Sequence, residues 1–430
     1  MHNRLRRTYE QREKEGRHLM GNFIGHIDGE AYYNGERRLA ALGVSLPPNV
    51  RVLEMPVRWG KLSVDILVEA LVLEGFTLAD GEPPHELRRI LQANNFDTLL
   101  TLGITEALVT GSAFVVAGGR PDSDIPRLTV HKGRDIKVTR DHTGKIVKAV
   151  QKFAAGNTGY SQIYKPGVIE IYRKENGVKT LVERQDFSDR YPGIPIVEIA
   201  NIKRIGEPGR SEIEDIHDLI DAASRSLTNL QVAQEMLSMP TKYLFGDGVE
   251  DQFVDENGNL QSKIKAYFGN FLIGPSDAKA GAIPGADLNQ IINSFKLYAQ
   301  QVSAMTGIPP FMMGVNAESN PASAEAMRSA KDRLISRAEL KQHIFGDAVE
   351  DIARMVLAIS GVHVENIETL EARWRDPAVA SISSRNALML QAQAQGVISA
   401  ETAREYLGLS PEQIAREDRT DQRGRAEIGA

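Results

Sequence analysis

Three carboxylates set close together, Glu214, Asp215 and Asp218, come nearest to a reactive constellation in this chain of 430 residues. Acids at that spacing can divide general-acid and general-base work, or share a divalent metal if the fold brings other acids to them. Glu212 and Asp221 extend the same negative stretch, and a row of acids along a helix reads more simply as a solvated face. The histidines, among them His131, His142, His217, His343 and His363, are scattered and never paired at ligand spacing, so no zinc-binding His-Glu-x-x-His box exists. No Gly-x-x-x-x-Gly-Lys-Ser/Thr loop is present to cradle a nucleotide, and Gly118-Gly119-Arg120 is too short to replace one. No Gly-x-Ser-x-Gly elbow presents a nucleophilic serine. Asp255-Glu256-Asn257-Gly258-Asn259 lacks the alternating acids and distal glutamate of a calcium loop and reads as a hairpin turn. The expectation is a protein with no catalytic centre, no metal and no cofactor.

Composition narrows the classes further. With no cysteine, disulfides, thiolate metal sites and cysteine nucleophiles are excluded, and a reducing cytoplasm suits its synthesis. A hydrophobic fraction of 42% supports a packed core. No apolar run approaches the roughly 20 residues of a membrane span. Arg4, Arg6, Arg7 and Arg12 near the start have no apolar segment behind them, which reads as a solvated helix, with a nucleic-acid arm as the alternative and a secretory signal excluded. The net charge of −6 is the wrong sign for a protein that grips phosphates tightly. If the chain meets DNA, it does so without tight binding.

The elements that must position these residues follow from periodicity and punctuation. Residues 1–42 read as polar helix, 57–71 as a buried helix, Leu73–Thr77 as a strand, and 84–94 and 96–110 as helices. Ala113–Ala117 is a strand closed by Gly118-Gly119. Residues 126–202 read as antiparallel β structure, with turns at Asp141–Gly144 and Glu175-Asn176-Gly177 and a last strand at Ile194–Ala200. A long helix starts at Ser211 as N-cap, carries a three-four apolar seam (Ile213, Ile216, Ile220, Ala223, Leu227, Leu230) and stops before Pro240. A second seamed helix follows Asp287 and stops at Gly307, so the two bracket a compact β insertion. A polar loop from Gly314 to Ala322 leads into a third long helix, Ser323 to Ile359, in which Gly346 marks either a kink or a close-packing position. The fold class is α+β and mostly helical. A narrow apolar seam calls for flanking partners, which head-to-tail copies closing into a ring would supply.

The chain carries Thr306-Gly307-Ile308-Pro309-Pro310, Gly314-Val315-Asn316 and Asn320-Pro321-Ala322-Ser323-Ala324-Glu325-Ala326 with Arg328. Tyr32-Tyr33-Asn34-Gly35, Val57–Asp65, Asn94–Asp97, Gly111–Val115 and Trp374-Arg375-Asp376-Pro377 stand in order around them. This ordered set resembles the portal proteins of tailed bacteriophages, and more narrowly the shorter portals of phages of actinobacteria.

The resemblance implies a non-enzymatic subunit of a ring, usually of twelve, at one capsid vertex. The ring would form the channel for DNA packaging and ejection, assembled in the host cytoplasm and carried in the virion. It implies a wing at 1–210, stem helices at 211–238 and 288–306, and a small β-containing clip at 239–287. A tunnel loop at 307–322, a long wing helix at 323–360, a returning wing strand at 361–382, and crown helices and tail at 383–430 complete the assignment. The implied partners are other copies of the chain, major capsid and scaffolding proteins, terminase, a head–tail adaptor, and double-stranded DNA that passes without sequence preference; no membrane is involved. In that scheme Glu214, Asp215, Asp218 and Asp221 form an acidic stem face that repels phosphates, and Asn316, Glu318, Ser319 and Asn320 touch DNA from the loop. Lys263 and Lys265 lie in the clip that docks partners. Arg328 and Lys331 beneath the loop either neighbour phosphates or pair with acids of the next subunit. Met312 and Met313 depart from a bore-facing role and suit packing against a neighbour. Two other readings stay open: a non-portal helical scaffold or adaptor, and a metal-dependent DNA-processing enzyme.

Overall fold

A computed structural model describes residues 27–39, 54–79, 84–120, 123–156, 158–175, 178–202, 204–238, 242–245, 279–282, 288–315, 329–378, 382–400 and 403–404. The chain divides into two units. The first comprises Met1–Val64, Leu108–Thr110 and Ser211–Asn320; the second comprises Asp65–Ala107, Gly111–Arg210 and Pro321–Ala430. The result is a mixed helix and strand fold.

The helices are α1 (Gly29–Asn34), α2 (Trp59–Ala70), α3 (His85–Ala93), α4 (Phe96–Thr110), α5 (His217–Ser238), α6 (Asn289–Thr306), α7 (Asp332–Ile359) and α8 (Ile382–Ala394). In the second unit, strand β1 (Leu73–Thr77) pairs antiparallel with the late strand β12 (Glu371–Trp374). Strands β2 (Ser112–Arg120), β3 (Ser123–Lys132) and β9 (Ile196–Ala200) make a three-stranded sheet in the order β3-β2-β9. Strands β4 (Ile136–Arg140), β5 (Ile146–Ala155), β6 (Thr158–Lys165), β7 (Val168–Glu175) and β8 (Val178–Asp186) follow one another as a meander. Alternation puts Ile136, Ala149, Tyr164 and Ile169 on one face of that meander. They pack against Phe114, Val116, Ile194 and Ile196 to form the core of this β region.

Both expected hairpins form. At the first, Asp141 Oδ1 accepts from the Thr143 and Lys145 amides at 2.9 and 3.0 Å and from the Thr143 hydroxyl at 2.6 Å. The hydrogen bond from that hydroxyl is the main reason its carboxyl is held below the usual range. At the second, β7 and β8 pair up to Glu175↔Val178, while Asn176 and Gly177 lie outside the described residues. Strand β2 does not close at Gly118-Gly119 but runs on to Arg120. The ladder to β3 continues through Gly118↔Arg127, and Gly119 N–H donates to Gln185 Oε1 at 2.8 Å. The glycines are strand interior, with Phe187 3.4 Å from where a Gly119 β-carbon would stand.

Helix α7 buries Leu334, Ala338, Phe345, Ala348, Ile352, Met355 and Ile359, the broad face its spacing predicts. The helix passes through Gly346 without interruption, and Gly346 is buried against Trp374, the close-packing alternative. Regular helix is described from Asp332; Lys331 just before it is a turn, and 323–328 lie outside the described residues.

A polar relay crosses the β core. Tyr164 OH donates to Gln151 Oε1 at 3.0 Å, Gln151 Nε2 lies 2.9 Å from His131 Nδ1, and His131 Nε2 lies 2.9 Å from Thr129 Oγ1. Burial lowers the His131 pKa, outweighing the attraction of Asp135. The unfolded chain therefore takes up a proton on this ring near pH 6.5 while the folded chain stays neutral to lower pH. Stability from His131 is present above that value and is lost as pH falls from about 6.5 toward the lowered folded pKa, at up to about 1.4 kcal/mol per pH unit. Urea titrations at pH 7.5 and pH 5.5 check it: the drop should shrink in His131→Asn, and an equal drop in both proteins refutes the assignment to this ring.

Candidate functional site

The two long seamed helices and the turn after them carry most of the described candidate residues, and all of these lie in the first unit. Regular helix begins at His217, not at Ser211. Ser211 Oγ does accept from the Ile213 amide at 3.1 Å, as a cap should, but the Glu212 amide donates to Leu108 O at 2.8 Å. That tether holds 212–216 as turns, and His217 Nδ1 then bonds Glu214 O at 2.7 Å. Helix α5 spans 22 residues, about 33 Å at 1.5 Å per residue.

The acidic residues part company at this boundary. Glu214 and Asp215 sit in the turns, Asp218 and Asp221 on the helix. Asp215 and Asp218 are exposed, with Asp218 Oδ1 3.3 Å from His217 Nε2. Asp221 instead pairs with Arg37 at 3.5 Å, and Arg37 Nε donates to Tyr32 OH at 3.2 Å. Tyr32 is buried, and burial followed by the nearby Asp221 charge pushes its hydroxyl up to about 12. The cluster is a fixed polar support that ties the residues after α1 to α5.

Two buried polar residues that periodicity passes over lie beside the apolar seam. Ser224 and Thr228, four apart, are buried on α5. Each donates to its own i−4 carbonyl, at 2.7 and 2.8 Å, and each accepts a backbone amide, from Val57 at 2.9 Å and Met55 at 3.1 Å. They bind the segment before α2 to the helix as a sheet neighbour would. Small polar residues spaced i, i+4 beside the seam were the available signal. Trp59 then stacks obliquely on Phe295 of α6, ring centroids 5.1 Å apart. Helix α6 buries Ala299, Val302 and Thr306 but leaves Leu297 and Met305 about half exposed.

Helix α6 ends where expected. Gly307 takes a left-handed φ of 73°, its amide bonding Ser303 O at 2.8 Å. Pro310–Met313 form a single 3-10 turn closed by Gly314 at φ 75°. Ile308, Met313 and Val315 are buried within the chain, while Met312 is half-buried. Lys331 is half-buried just ahead of α7 in the second unit. Asn316, Glu318, Ser319, Asn320 and Arg328, and the pair Lys263 and Lys265, lie outside the described residues. Between the two helices, β10 (Lys242–Phe245) and β11 (Lys279–Ala282) pair antiparallel as part of the expected insertion.

Among the described residues, no three of His, Asp and Glu stand together as metal ligands, and no helix is long and apolar enough to cross a membrane. An open cleft of about 800 Å³ in the second unit lies between β9 and α7. Its wall arginines are engaged: Arg140 with Glu198, and Arg354 with Asp351 and Glu350 at 3.0 and 3.2 Å.

Residues 27–423 match the family described as "Phage portal protein, SPP1 Gp6-like". The chain is 32% identical over 403 residues to the portal protein of Mycobacterium phage D29, covering 88% of this chain and 81% of that one. It is 30% identical over 402 residues to the portal protein of Mycobacterium phage L5, with the same coverage. Its fold is similar to a chain in the neck of a native gene transfer agent particle computed with C12 symmetry, at TM-score 0.50 and 18% identity over 86% of this chain and 95% of that one.

Proposed function

The chain belongs to the phage portal proteins of the SPP1 Gp6-like family, a ring subunit of the capsid vertex in the virion, and from that premise we propose how its segments divide the work. Helices α5 and α6 form the stem that lines the DNA channel during packaging and ejection. Residues 239–287 form the clip that docks terminase and then a head–tail adaptor, with Lys263 and Lys265 on its surface. Residues 307–322 form the tunnel loop, with Asn316, Glu318, Ser319 and Asn320 toward DNA. The wing comprises 1–210, 323–360 and 361–382, and the crown 383–430. Capsid and scaffolding proteins meet the assembled ring, which forms in the host cytoplasm.

The single observation that carries this reading is the family match across nearly the whole chain. The local geometry suits it. Asp215 and Asp218 are exposed acids, which lower affinity for phosphates, as a channel through which DNA must slide requires. Leu297 and Met305, half-exposed on a helix otherwise seamed for packing, are the kind of surface a neighbouring copy covers. We propose twelve subunits, the symmetry of the neck whose chain shares this fold. The role is structural, without catalysis.

Sedimentation velocity and negative-stain imaging of the purified chain test it. The expected result is a large closed ring with a central hole wide enough for duplex DNA. A monomer under all conditions refutes the assignment, and a closed assembly lacking such a hole favours a scaffold or adaptor. DNA cleavage with a divalent metal that disappears in Asp215→Ala would instead establish an enzyme.

A further inference from the structure

The five-stranded sheet has a second face, opposite the one packed on the core. Strand register fixes which residues share it. Lys137 stands opposite Val150, Lys148 opposite Thr139, Lys152 opposite Ser161, and Lys174 directly opposite Lys179. All five lysines are exposed, and none has an ion-pair partner among the described residues. The acids of this face are already committed: Glu170 to Lys165 at 2.7 Å and to Tyr172 OH at 2.8 Å, and Asp186 to Arg184 at 3.1 Å. A chain with a net charge of −6 thus sets five unpaired lysines on one sheet surface.

The placement works against folding. Like charges directly across a ladder repel, and Lys174↔Lys179 is such a pair. Lysines on an edge strand can serve to deter strand addition, which would account for Lys179 on β8. It does not account for Lys148 and Lys152, because β5 lies between β4 and β6.

We infer that this lysine face binds duplex DNA through its phosphates, a contact beyond the channel residues proposed above. The outer strands stand about 19 Å apart at the usual strand spacing, and Lys148 and Lys152 lie about 13 Å apart along theirs. Duplex DNA offers one charge per about 1.7 Å of axis, so several phosphates fall within reach of flexible lysine stems wherever the duplex lands. Lysine is the point-charge residue for such sequence-independent contact, whereas protein interfaces are depleted in it because ordering its long stem is unfavourable. At physiological salt, screening over about 8 Å makes the local patch, not the net charge of the chain, decide the interaction.

The test is fluorescence-anisotropy titration of the assembled full chain with mixed-sequence duplex DNA over a salt series. Five phosphate contacts give a slope of log K against log salt of about −4.5. Lys148→Gln/Lys152→Gln/Lys174→Gln should bring it to about −2 and weaken binding on the order of 10²- to 10³-fold at 0.1 M salt. The corresponding triple arginine variant should bind like the parent, and unchanged circular dichroism and ring size identify a folded variant. The proposal is overturned if the glutamine variant keeps the parental slope, if the parent binds no duplex at low salt, or if this face takes up polyglutamate but not DNA.

Discussion

Gly209→Ala should leave the second unit unable to fold stably, losing more than about 4 kcal/mol. A β-carbon there would stand 2.0 Å from Gly111 O, and one on Gly111 would stand 2.3 Å from Gly209 O. Neither neighbour is the movable end of a side chain. Both are backbone, locked by Asn201 N–H donating to Gly111 O at 2.8 Å and Arg210 N–H donating to Asn201 O at 3.0 Å. Gly111 also holds φ at 104°, where a side chain is strained in any case. Gly144→Ala is the control. Its φ of 86° carries a backbone penalty of about 1 kcal/mol, but nothing lies within 4 Å of its β-carbon. Chemical denaturation separates the two, and comparable stabilities for Gly209→Ala and Gly144→Ala would refute the steric argument.

The same junction holds a buried cation. Lys341, in the middle of α7, donates to Asn201 Oδ1, and Asn201 Nδ2 donates to Arg210 O at 2.6 Å. Asn201 is fully buried and Lys341 nearly so. Asn201→Leu removes an oxygen from an ammonium group that water barely reaches, and should destabilise by about 3 kcal/mol. Lys341→Met removes the charge and keeps most of the volume. It leaves the Asn201 amide oxygen, a neutral acceptor, short of that donor, a loss of about 1–2 kcal/mol. The double variant should therefore lose well less than the sum of the single losses, which urea midpoints measure. Strict additivity would mean that the two side chains do not depend on one another.

Lys341 also shows where sequence reading stops. Its helix was legible from periodicity, and the described part of its apolar face is buried as expected, but Lys341, one of the bases in its first half, is interior. Burial of a lysine depends on what a segment 140 positions away brings to it, here Asn201. The hairpins, the Leu73–Thr77 strand and the helix stop at Gly307 were legible because turn chemistry is local. The start of α5 was misplaced because Leu108, more than 100 positions earlier, captures the Glu212 amide. The acidic face was legible as composition only. Asp221 is tied to Arg37, a pairing 184 positions apart that no spacing rule reveals. The lysine face was invisible for a related reason. Alternation within one strand gives a side, but only the register of five strands shows that the sides coincide.

The pairing of β1 with β12 sets a schedule. Thr77 and Glu371 are register partners, so the first strand leaves the ribosome about 300 residues before its mate. At about 5–20 residues per second that is a wait of roughly 15 to 60 s. Throughout it, β1 has a free edge in a crowded cell making many copies of the same chain. It meets that interval as a short strand of five residues that carries Glu74 and a register shift between Leu73 and Gly75, features that discourage a neighbour's strand from taking the vacant place. A subunit destined to self-associate must first avoid doing so through the wrong edge, and a segment synthesised late is the one that closes it.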